Sequence, residues 1–313
     1  MANDAKYIVT GGAGFIGSTL VRRLIERGKV AVIDNLLTGH EANLKEIRGQ
    51  IEFHNVDIRN AAALELVIRG ADTVFHLAAI PSVPRSIEDP VPSHEINIDG
   101  TFNVLRAAAN ARVRRVVYAA SSSAYGDTEV LPKTETMNPL PKSPYAAQKL
   151  LGEYYASVFY SCYGLEAVSL RFFNVYGPRQ DPTSPYSGVL SLFMKHLIAR
   201  TSPTIFGDGE QSRDFTYVED VAELCWKASQ ADGVAGKMYN AGNGNQYTLN
   251  QIWKLLQQME GVSLPSNAAP PRAGDVRHSK ADTAAAIRDL GHAPQITIEE
   301  GLRRTLEWYR ETK

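Results

Sequence analysis

A tyrosine and a lysine stand four residues apart in the segment SPYAAQKLLGE, residues 143–153. Residues at this spacing lie on one face of a helix, so the phenol of Tyr145 and the ammonium of Lys149 can share a site. A phenol beside a cation can exchange a proton with a bound hydroxyl group, because the positive charge favours the phenolate. Taken alone, the pair has a commoner explanation, which is a packed ring beside a solvated amine. The surrounding elements must decide between the two.

A glycine-rich turn near the start of the chain predicts a phosphate-binding site. The stretch VTGGAGFIGS, residues 9–18, follows the first apolar segment and opens a helical one. Glycines there allow a tight turn and a close approach of the backbone to a pyrophosphate, while the start of the helix offers oriented N–H groups. The alternative is a glycine-rich turn of a flavodoxin-like protein. The cofactor contacts predicted in this loop are Gly11, Gly14, Phe15, Ile16 and Gly17.

Acidic residues follow the next strand candidates. Asp34 closes VAVID, 20 residues beyond Gly14, where a carboxylate can accept from the hydroxyls of an adenosine ribose. A carboxylate there repels a 2′-phosphate, so NAD is favoured over NADP. Asp57 and Ile58 end the third strand candidate, where an acid and an apolar side chain can hold adenine. The predicted cofactor is therefore NAD.

Short apolar segments alternate with longer helical ones over the first half of the chain. The strand candidates are KYIVT, VAVID, IEFHNVD, TVFHLAA, VRRVVYAAS and LEAVSLRFFN, at 6–10, 30–34, 51–57, 73–79, 113–121 and 165–174. Continuous apolar strands between helices favour a parallel sheet covered on both faces, a doubly wound α/β fold of the Rossmann type. We predict that residues 1–175 form the nucleotide-binding domain. Residues 176–313, which are mostly helical, form a smaller α/β substrate-binding region whose chain can cross back to the sheet.

Composition argues against several other classes of protein. The 313 residues are 44% hydrophobic and 21% charged, with a formal net charge of −1. This balance gives no electrostatic reason to expect nucleic acid or an anionic membrane as a partner. No apolar run is long enough to span a membrane, and the first strand begins too early to leave room for a signal peptide. Cys162 and Cys225 form no metal-ligand motif, so we expect two buried thiols, no metal site and a reducing cytoplasm.

Taken together, the motifs resemble the extended short-chain dehydrogenase/reductase family, and within it the nucleotide-sugar 4-epimerases. TGGAGFIG, HLAA, EINIDGT, AASSSAYG and the Tyr145–Lys149 pair occur in the family's order, followed by LRFFNVYGPRQ, GDGEQSRDFTYVEDVA and RAGDVRHSKAD. The segments IPSVPRSIEDP and AGDVRHS look particularly like those of UDP-N-acetylglucosamine 4-epimerases. The resemblance covers almost the whole chain. It implies an enzyme that inverts C4 of a UDP-hexose through a transient 4-keto sugar.

The resemblance also assigns roles at the reaction site. Tyr145 takes the proton of the sugar 4-hydroxyl, and Lys149 and the positive nicotinamide ring both favour its phenolate. Ser121 bonds the reacting hydroxyl, with Ser123 as a helper. The NAD must be held tightly, because the keto sugar rotates to present its other face while the cofactor stays in place. Further cofactor contacts are expected at Asn35, Leu77, Ala78, Ala79, Asn97 and Phe172, and Lys149 can also hold the nicotinamide ribose.

The resemblance places most contacts with the UDP-sugar in the second half of the chain. The substrate contacts that it implies are Ser82 and Ser122, Asn174 and the arginines Arg213 and Arg272 at the diphosphate, Phe206 at uracil, and Asp275 at the uridine ribose. Ser279 falls where a bulky tyrosine would crowd an acetamido group at C2 of the sugar. Its small size predicts that UDP-GlcNAc and UDP-GalNAc are accepted, with UDP-Glc and UDP-Gal as further candidates.

Other reactions share this scaffold, so the fold cannot choose among them. Related 4,6-dehydratases carry an Asp-Glu pair where this chain has Ser122 and Ser123, and UDP-glucuronate decarboxylases usually have a Glu in that segment. Both absences favour epimerisation. A reductase with a dissociable cofactor and a non-catalytic NAD-binding protein stay open as alternatives. Because relatives pair across a two-fold axis through helices matching 97–110 and 145–161, we expect a homodimer.

Overall fold

The computed structural model describes residues 5–181, 188–271 and 276–312. Two of the predicted substrate contacts, Arg272 and Asp275, lie outside these residues. Within the described ranges, no helix combines the length and the apolar character that crossing a bilayer requires.

Helices and strands alternate along most of the chain. The α-helices are α1 (Phe15–Leu24), α2 (Ala61–Ile68), α3 (Val83–Glu88), α4 (Pro90–His94), α5 (Thr101–Asn110), α6 (Pro144–Tyr163), α7 (Val189–Ala199), α8 (Val218–Gln230), α9 (Leu249–Glu260), α10 (Ala284–Leu290) and α11 (Ile298–Glu311). The strands are β1 (Lys6–Thr10), β2 (Lys29–Asp34), β3 (Ile51–Asn55), β4 (Thr73–His76), β5 (Arg115–Ser121), β6 (Glu166–Phe172), β7 (Asn174–Tyr176), β8 (Thr204–Phe206), β9 (Ser212–Arg213), β10 (Phe215–Tyr217), β11 (Met238–Ala241), β12 (Tyr247–Thr248) and β13 (Asn267–Ala269). Short 3₁₀ helices span Glu41–Gln50 and Ser122–Tyr125, and a π-helical turn, Glu95–Gly100, leads into α5.

A seven-stranded parallel sheet forms the centre of the molecule. Its strand order is β11-β6-β5-β4-β1-β2-β3. The chain runs outward from β1 to β3 on one side and from β4 to β11 on the other, so the order reverses between β1 and β4. That reversal is the point at which doubly wound sheets bind nucleotides. The doubly wound fold predicted from the sequence is confirmed.

Helices cover both faces of this sheet. Side chains of successive strand residues point to opposite faces. In β1, Val9 accordingly packs in a cluster with residues of α1 and α8, whereas Ile8 packs in a separate cluster with residues of α2, α5 and α6. Two apolar layers of this kind explain why the strands read as continuous hydrophobic runs rather than as alternating ones.

A third apolar cluster holds the C-terminal part together. It joins α7, α9 and α11 around side chains such as Phe193, Trp253 and Leu302. The remaining strands of the described residues form two-stranded pairs, which are β7 with β10, β8 with β13 and β9 with β12. From this region the chain returns to the main sheet, because β11 pairs in parallel with β6.

Two details differ from the sequence analysis. The strand predicted over 165–174 is divided, because Phe173 donates its N–H to Ala241 whereas Asn174 donates to Asp214 and begins β7. Asn174 therefore starts a new strand rather than ending the sixth. The expectation of two buried thiols is also wrong, since Cys162 lies exposed near the end of α6 and only Cys225 is buried.

Candidate active site

The predicted reaction site is built at the carboxyl ends of β1, β4 and β5. Helix α6 begins beside this edge. Ser143 caps it by accepting from the N–H of Ala146 at 3.2 Å, and Pro144 occupies its first turn. These residues fix where the helix begins, because a serine cap followed by proline favours a helix start. Tyr145 consequently lies in the first turn, with Lys149 one turn further on.

The loop after β1 has the shape of a phosphate cradle. Gly11 has a φ of +71°, and a Cβ there would lie 2.7 Å from the backbone nitrogen of Ala78. A Cβ on Gly17 would lie 2.1 Å from the carbonyl oxygen of Gly11. No side chain caps the first turn of α1 at Gly14, so the N–H groups of that turn are available to an anion. The cradle fits a dinucleotide pyrophosphate, and its shape requires glycine at positions 11 and 17.

Asp34 joins two of the loops at this edge. Its carboxylate accepts from the N–H of Ala13 at 2.9 Å and from the N–H of Leu36 at 2.8 Å. Burial raises the pKa of Asp34, and these two backbone hydrogen bonds oppose the shift. Each carboxylate oxygen can accept more than one hydrogen bond, so Asp34 can hold the loops and still accept from a ribose.

The two residues predicted beside the adenine lie after β3. Asp57 accepts from Asn35 at 2.8 Å and forms a fork with Arg59 at 2.9 and 3.0 Å. The hydrogen bonds from Arg59 are the main reason that the pKa of Asp57 falls to about 2. Asp57 is therefore an anion at any working pH. Ile58 is buried and packs against Gly100, where a Cβ would lie 2.5 Å from its side chain.

A buried histidine connects β4 with β1 and α5. The ring of His76 bonds Thr10 Oγ1 through Nδ1 at 2.7 Å and Thr101 Oγ1 through Nε2 at 2.9 Å. Thr10 Oγ1 also accepts from the N–H of Ala78 at 3.3 Å, next to Leu77 in the predicted cofactor segment. Burial lowers the pKa of His76 to about 3, so the ring is neutral and links the strand ends without adding charge.

Asn97, predicted as a cofactor contact, holds protein segments together. Its side chain accepts from the N–H of Ile80 at 2.9 Å and donates to the carbonyl of Ile80 at 3.2 Å. It also donates to Gln148 at 2.9 Å, and Gln148 donates to Ser93 at 3.0 Å. Asn97 thus fixes the segment after Ala79 against α6 beside Lys149.

Serine, tyrosine and lysine meet at the end of β5. The ammonium of Lys149 donates to the carbonyl of Ala119 at 2.8 Å, and the hydroxyl of Ser121 is close enough to the phenol of Tyr145 to lower its pKa. Ser123 donates to Ser121 through its hydroxyl at 2.8 Å and through its N–H at 3.2 Å. The structure therefore brings the four residues predicted to be catalytic to one place.

The electrostatics differ from the simple expectation for a phenol beside an amine. Burial raises the pKa of Tyr145, and the neighbouring hydroxyl of Ser121 opposes this shift only in part. Burial also lowers the pKa of Lys149 to about 8, against an opposing attraction by Glu153. Burial is the largest influence on both pKa values in the protein alone, and the expectation that Lys149 and the nicotinamide ring together favour the phenolate stays a prediction.

The predicted substrate contacts that are described fall into two groups. Near Tyr145, Ser82 caps α3 by accepting from Arg85, and Ser122 follows Ser121. Phe172, predicted as a cofactor contact, is level with Ser121 in the neighbouring strand. Three of the other predicted contacts lie on the segment 212–214 or bond to it, beyond β6. The N–H of Ser279 donates to Ser212 at 3.0 Å, that of Asn174 donates to Asp214 at 3.0 Å, and Arg213 lies between these two partners. Phe206 ends β8, where its carbonyl accepts from Gln211.

Some residues of the site were missed by the sequence analysis. Glu153 follows Lys149 at the same four-residue spacing that drew attention to Tyr145, and Arg171 is a charged residue within an apolar strand. These two patterns were the available signals. Among the residues of the described ranges, no group of three or more His, Cys, Asp or Glu side chains could hold a metal ion.

This geometry defines a dinucleotide-binding α/β protein with a serine–tyrosine–lysine site at the carboxyl edge of its sheet. Residues 7–242 match the NAD dependent epimerase/dehydratase family, and the chain belongs to that family. A UDP-glucose 4-epimerase from Mycolicibacterium smegmatis is 38% identical over 310 residues, which cover 97% of this chain and 98% of the relative. A UDP-N-acetyl-alpha-D-glucosaminuronate decarboxylase from Bacillus cytotoxicus is 30% identical over 322 residues, with 98% of each chain covered.

Solved structures of similar proteins match nearly the whole length of the chain. The UDP-N-acetylglucosamine 4-epimerase from Methanobrevibacter ruminantium, in complex with UDP-N-acetylmuramic acid, superposes with a TM-score of 0.95 at 37% identity. That match covers 99% of this chain and all of the other, 100%. The Thermus thermophilus UDP-glucose 4-epimerase complex with NAD superposes with a TM-score of 0.90 at 37% identity, covering 98% and 100% of the two chains.

The neutral His76 predicts a specific loss of stability in acid. Its pKa is about 3 in the folded protein, whereas a histidine of the unfolded chain has a pKa of about 6.5. Between these values the unfolded chain binds the extra proton, so the free energy of unfolding falls as the pH falls, by about 1.4 kcal/mol per pH unit from this group.

Denaturant unfolding of the wild type and of His76→Gln at pH 4, 5, 6 and 7 measures this contribution. The variant is expected to be less stable at pH 7 and to have a shallower slope between pH 6 and pH 4. His94→Gln, at an exposed position of α4, is the matched control. Equal slopes for the wild type and His76→Gln would show that His76 is not responsible.

Proposed function

We propose that the protein is an NAD-dependent UDP-hexose 4-epimerase that interconverts C4 epimers through a transient 4-keto sugar. The observation that carries this proposal is the meeting of Ser121, Tyr145 and Lys149 at the strand edge that also carries the glycine cradle. The epimerases among the similar proteins support the same reaction.

The chain's own residues supply the binding and the proton transfer. The glycine loop and the N-terminus of α1 hold the pyrophosphate of the cofactor, and Asp34 accepts from its adenosine ribose. When bound, NAD would supply reversible hydride transfer to and from C4 of the sugar. The NAD complex of the Thermus thermophilus relative supports this choice of cofactor. The free thiols of Cys162 and Cys225 fit a reducing compartment such as the cytoplasm.

Tyr145 removes the proton from the 4-hydroxyl and later gives it back, while Ser121 holds the reacting oxygen. Because burial raises the pKa of Tyr145, removal of the proton requires positive charge nearby. Lys149 is the protein's cation at this position, and its bond to Ala119 holds it there. The segment around Arg213 holds the nucleotide, which leaves the hexose free to turn. Ser122 and Ser123, in place of acidic residues, favour this reaction over dehydration and decarboxylation.

Replacement of Tyr145 by Phe tests the reaction. Proton NMR of the purified protein with NAD and either UDP-Glc or UDP-GlcNAc is expected to show the C4 epimer. Tyr145→Phe should lower kcat by roughly 10²- to 10⁴-fold, the usual contribution of a general base, because the phenylalanine ring cannot accept a proton. Binding of NAD, measured by calorimetry, should be retained.

The matched control is Tyr163→Phe, since Tyr163 lies on the same helix but is 67% exposed. That variant should turn over at the wild-type rate. Normal turnover by Tyr145→Phe would remove the phenol from the mechanism. A 4-keto-6-deoxy product or the release of carbon dioxide would instead identify a dehydratase or a decarboxylase.

We further propose that Ser279 sets the size of the substituent accepted at C2. Its side chain is small and 9% exposed, and its backbone is fixed by the bond to Ser212. A tyrosine at this place would fill the space needed by an acetamido group. Ser279→Tyr should therefore lower kcat/KM for the N-acetylated pair by about tenfold or more, while UDP-Glc and UDP-Gal are spared, because poor fit of a few atoms costs about 1–3 kcal/mol. Ser279→Ala, which adds no bulk, is the control, and an equal loss on both pairs would contradict this role.

We also propose a homodimer formed by α5 and α6. Phe102 of α5 packs on Tyr155 and Phe159 of α6, so the two helices present one continuous surface. On α6 this surface carries Tyr154 and Val158, which are 54% and 49% exposed. Large apolar side chains in such a patch indicate a protein–protein contact.

Light scattering is expected to give twice the mass of one chain for the wild type. Val158→Glu should dissociate the dimer at micromolar concentration, because it buries an unpaired charge in the contact. Leu66→Glu is the control, since Leu66 is even more exposed, at 71%, but lies on α2. Dissociation by both substitutions, or a monomeric wild type, would reject this surface.

A further inference from the structure

A buried ion pair lies directly behind Lys149. Glu153 is one helical turn beyond Lys149 on α6, and the two side chains belong to residues that are only 7% and 4% exposed. Arg171 of β6, 2% exposed, donates to both oxygens of Glu153 at 2.8 and 2.7 Å. Such a fork holds a carboxylate in one orientation. Glu153 therefore cannot turn away from Lys149 without breaking two charge-assisted hydrogen bonds.

A second contact fixes the arginine in turn. The guanidinium of Arg171 lies over the ring of Tyr125, with 4.4 Å between its central carbon and the ring centroid. Tyr125 donates its hydroxyl to Asn240 of β11 at 2.6 Å. The ion pair is thus held by residues of three elements, which are α6, β6 and the segment after β5. The mechanism proposed above uses none of these residues.

The other groups around Lys149 do not supply a negative charge. The ring of Tyr118 on β5 lies 5.1 Å from its ammonium, and burial raises the pKa of that phenol well above its ordinary value. His76 on β4 is neutral, and Tyr145 is protonated in the resting site. Charged side chains on the other elements packed against α6 are at least partly exposed to solvent, namely Arg85, Glu88, His94, Glu95, Asp99 and Arg106. Glu153 is the anion that raises the pKa of Lys149.

The carboxylate of Glu153 matters because of the order in which Lys149 and Tyr145 titrate. A lysine can favour a phenolate only if it is still charged at the pH where the phenol ionises. In water the lysine has the higher pKa, about 10.4 against about 10 for tyrosine. Burial reverses the order here, because it lowers the pKa of Lys149 to about 8 and raises that of Tyr145. An anion next to Lys149 counteracts the reversal.

The fork from Arg171 favours the ionised form of Glu153. Burial raises the pKa of its carboxyl, and the two hydrogen bonds from Arg171 oppose that shift. Arg171 thus opposes the protonation of Glu153, and Glu153 in turn supports the charge on Lys149. The charges alternate along the row from Lys149 through Glu153 to Arg171.

We propose that Glu153 is a positioning residue which, fixed by Arg171, keeps the Lys149 ammonium charged, so that Tyr145 has a cation beside it when it takes the substrate proton. The inference rests on the proposed epimerase reaction for its consequence in catalysis. Its effect on Lys149 is a property of the protein alone and can be measured without substrate.

Glu153→Gln is the central variant, because it removes the charge with little change in size. NMR titration of protein labelled with ¹³C-lysine follows the charge of Lys149, whose signal is assigned by its loss in Lys149→Met. We expect the midpoint of Lys149 in Glu153→Gln to fall by roughly one pH unit or more, since an opposite charge at close range shifts a pKa by about 1–3 units. In the epimerase assay, the alkaline limb of kcat/KM, where Lys149 loses its proton, should move to lower pH by a similar amount, so that the loss of activity grows as the pH rises through neutrality.

Glu166→Gln is the matched control. Glu166 also pairs with a buried arginine across β5 and β6, at 2.6 Å from Arg115, but at the opposite end of these strands. It should leave the Lys149 titration and the pH profile unchanged even where it lowers stability. Glu153→Asp retains the carboxylate and should restore much of the wild-type titration, which a purely structural role of side-chain size would not predict.

A second variant guards against misfolding, because Glu153→Gln leaves Arg171 without its partner. The double variant Glu153→Gln/Arg171→Met removes both charges and should show the same fall in the Lys149 midpoint. A folded variant with a wild-type Lys149 titration would overturn the proposal, as would failure of both variants to fold, which would make the pair a requirement of folding alone. If the titration moves but no UDP-hexose is epimerised, the proposed reaction is wrong and the electrostatic role stands.

Discussion

The burial of the Lys149 ammonium at the carboxyl end of β5 constrains everything around it. Moving a charged amine out of water costs several kcal/mol of hydration free energy unless protein groups replace the lost water contacts. The carbonyl of Ala119 accepts one of its hydrogen bonds, the ring of Tyr118 lies against it, and the carboxylate of Glu153 supplies an opposite charge. These partners come from β5 and from α6 itself. The position of α6 against the sheet therefore determines both where the amine sits and whether it is charged.

The same edge of the sheet imposes a second condition, which is close approach of backbone segments. Gly11 and Gly17 allow the loop after β1 to lie against Ala78 and against itself, where side chains would collide. The chain Thr10–His76–Thr101 then fixes the end of β4 with a neutral ring. A charged ring in its place would lie in the same buried layer as Lys149 and repel it. The contacts at this edge therefore do two things: they leave room for the cofactor, and they keep further positive charge away from Lys149.

Much of this arrangement could be predicted from the sequence, because it depends on local patterns. The glycine spacing, the strand periodicity and the four-residue spacing of Tyr145 and Lys149 each reflect one turn or one element. The strand division at Phe173 and the exposure of Cys162 could not be read in this way, since both depend on which distant segment packs nearby. The rise in the pKa of Tyr145 on burial likewise could not be read from the sequence. Sequence shows which charges are adjacent, whereas the cost of burying them depends on the folded environment.

Stability alone gives a poor account of the Glu153–Arg171 pair. Exchanging a buried ion pair for apolar side chains is often neutral or stabilising, so such a pair is weak evidence of a need for stability. Arg115 and Glu166 illustrate a simpler case, because the side chain of Glu166 is 43% exposed and keeps part of its hydration. At Glu153 an apolar side chain would remove the desolvation cost of the pair. It would also leave Lys149 without the carboxylate that opposes the effect of burial, and the pKa of the amine would fall further. The ion pair and the charged lysine are thus one electrostatic unit, and the function of the site supplies the reason for keeping both.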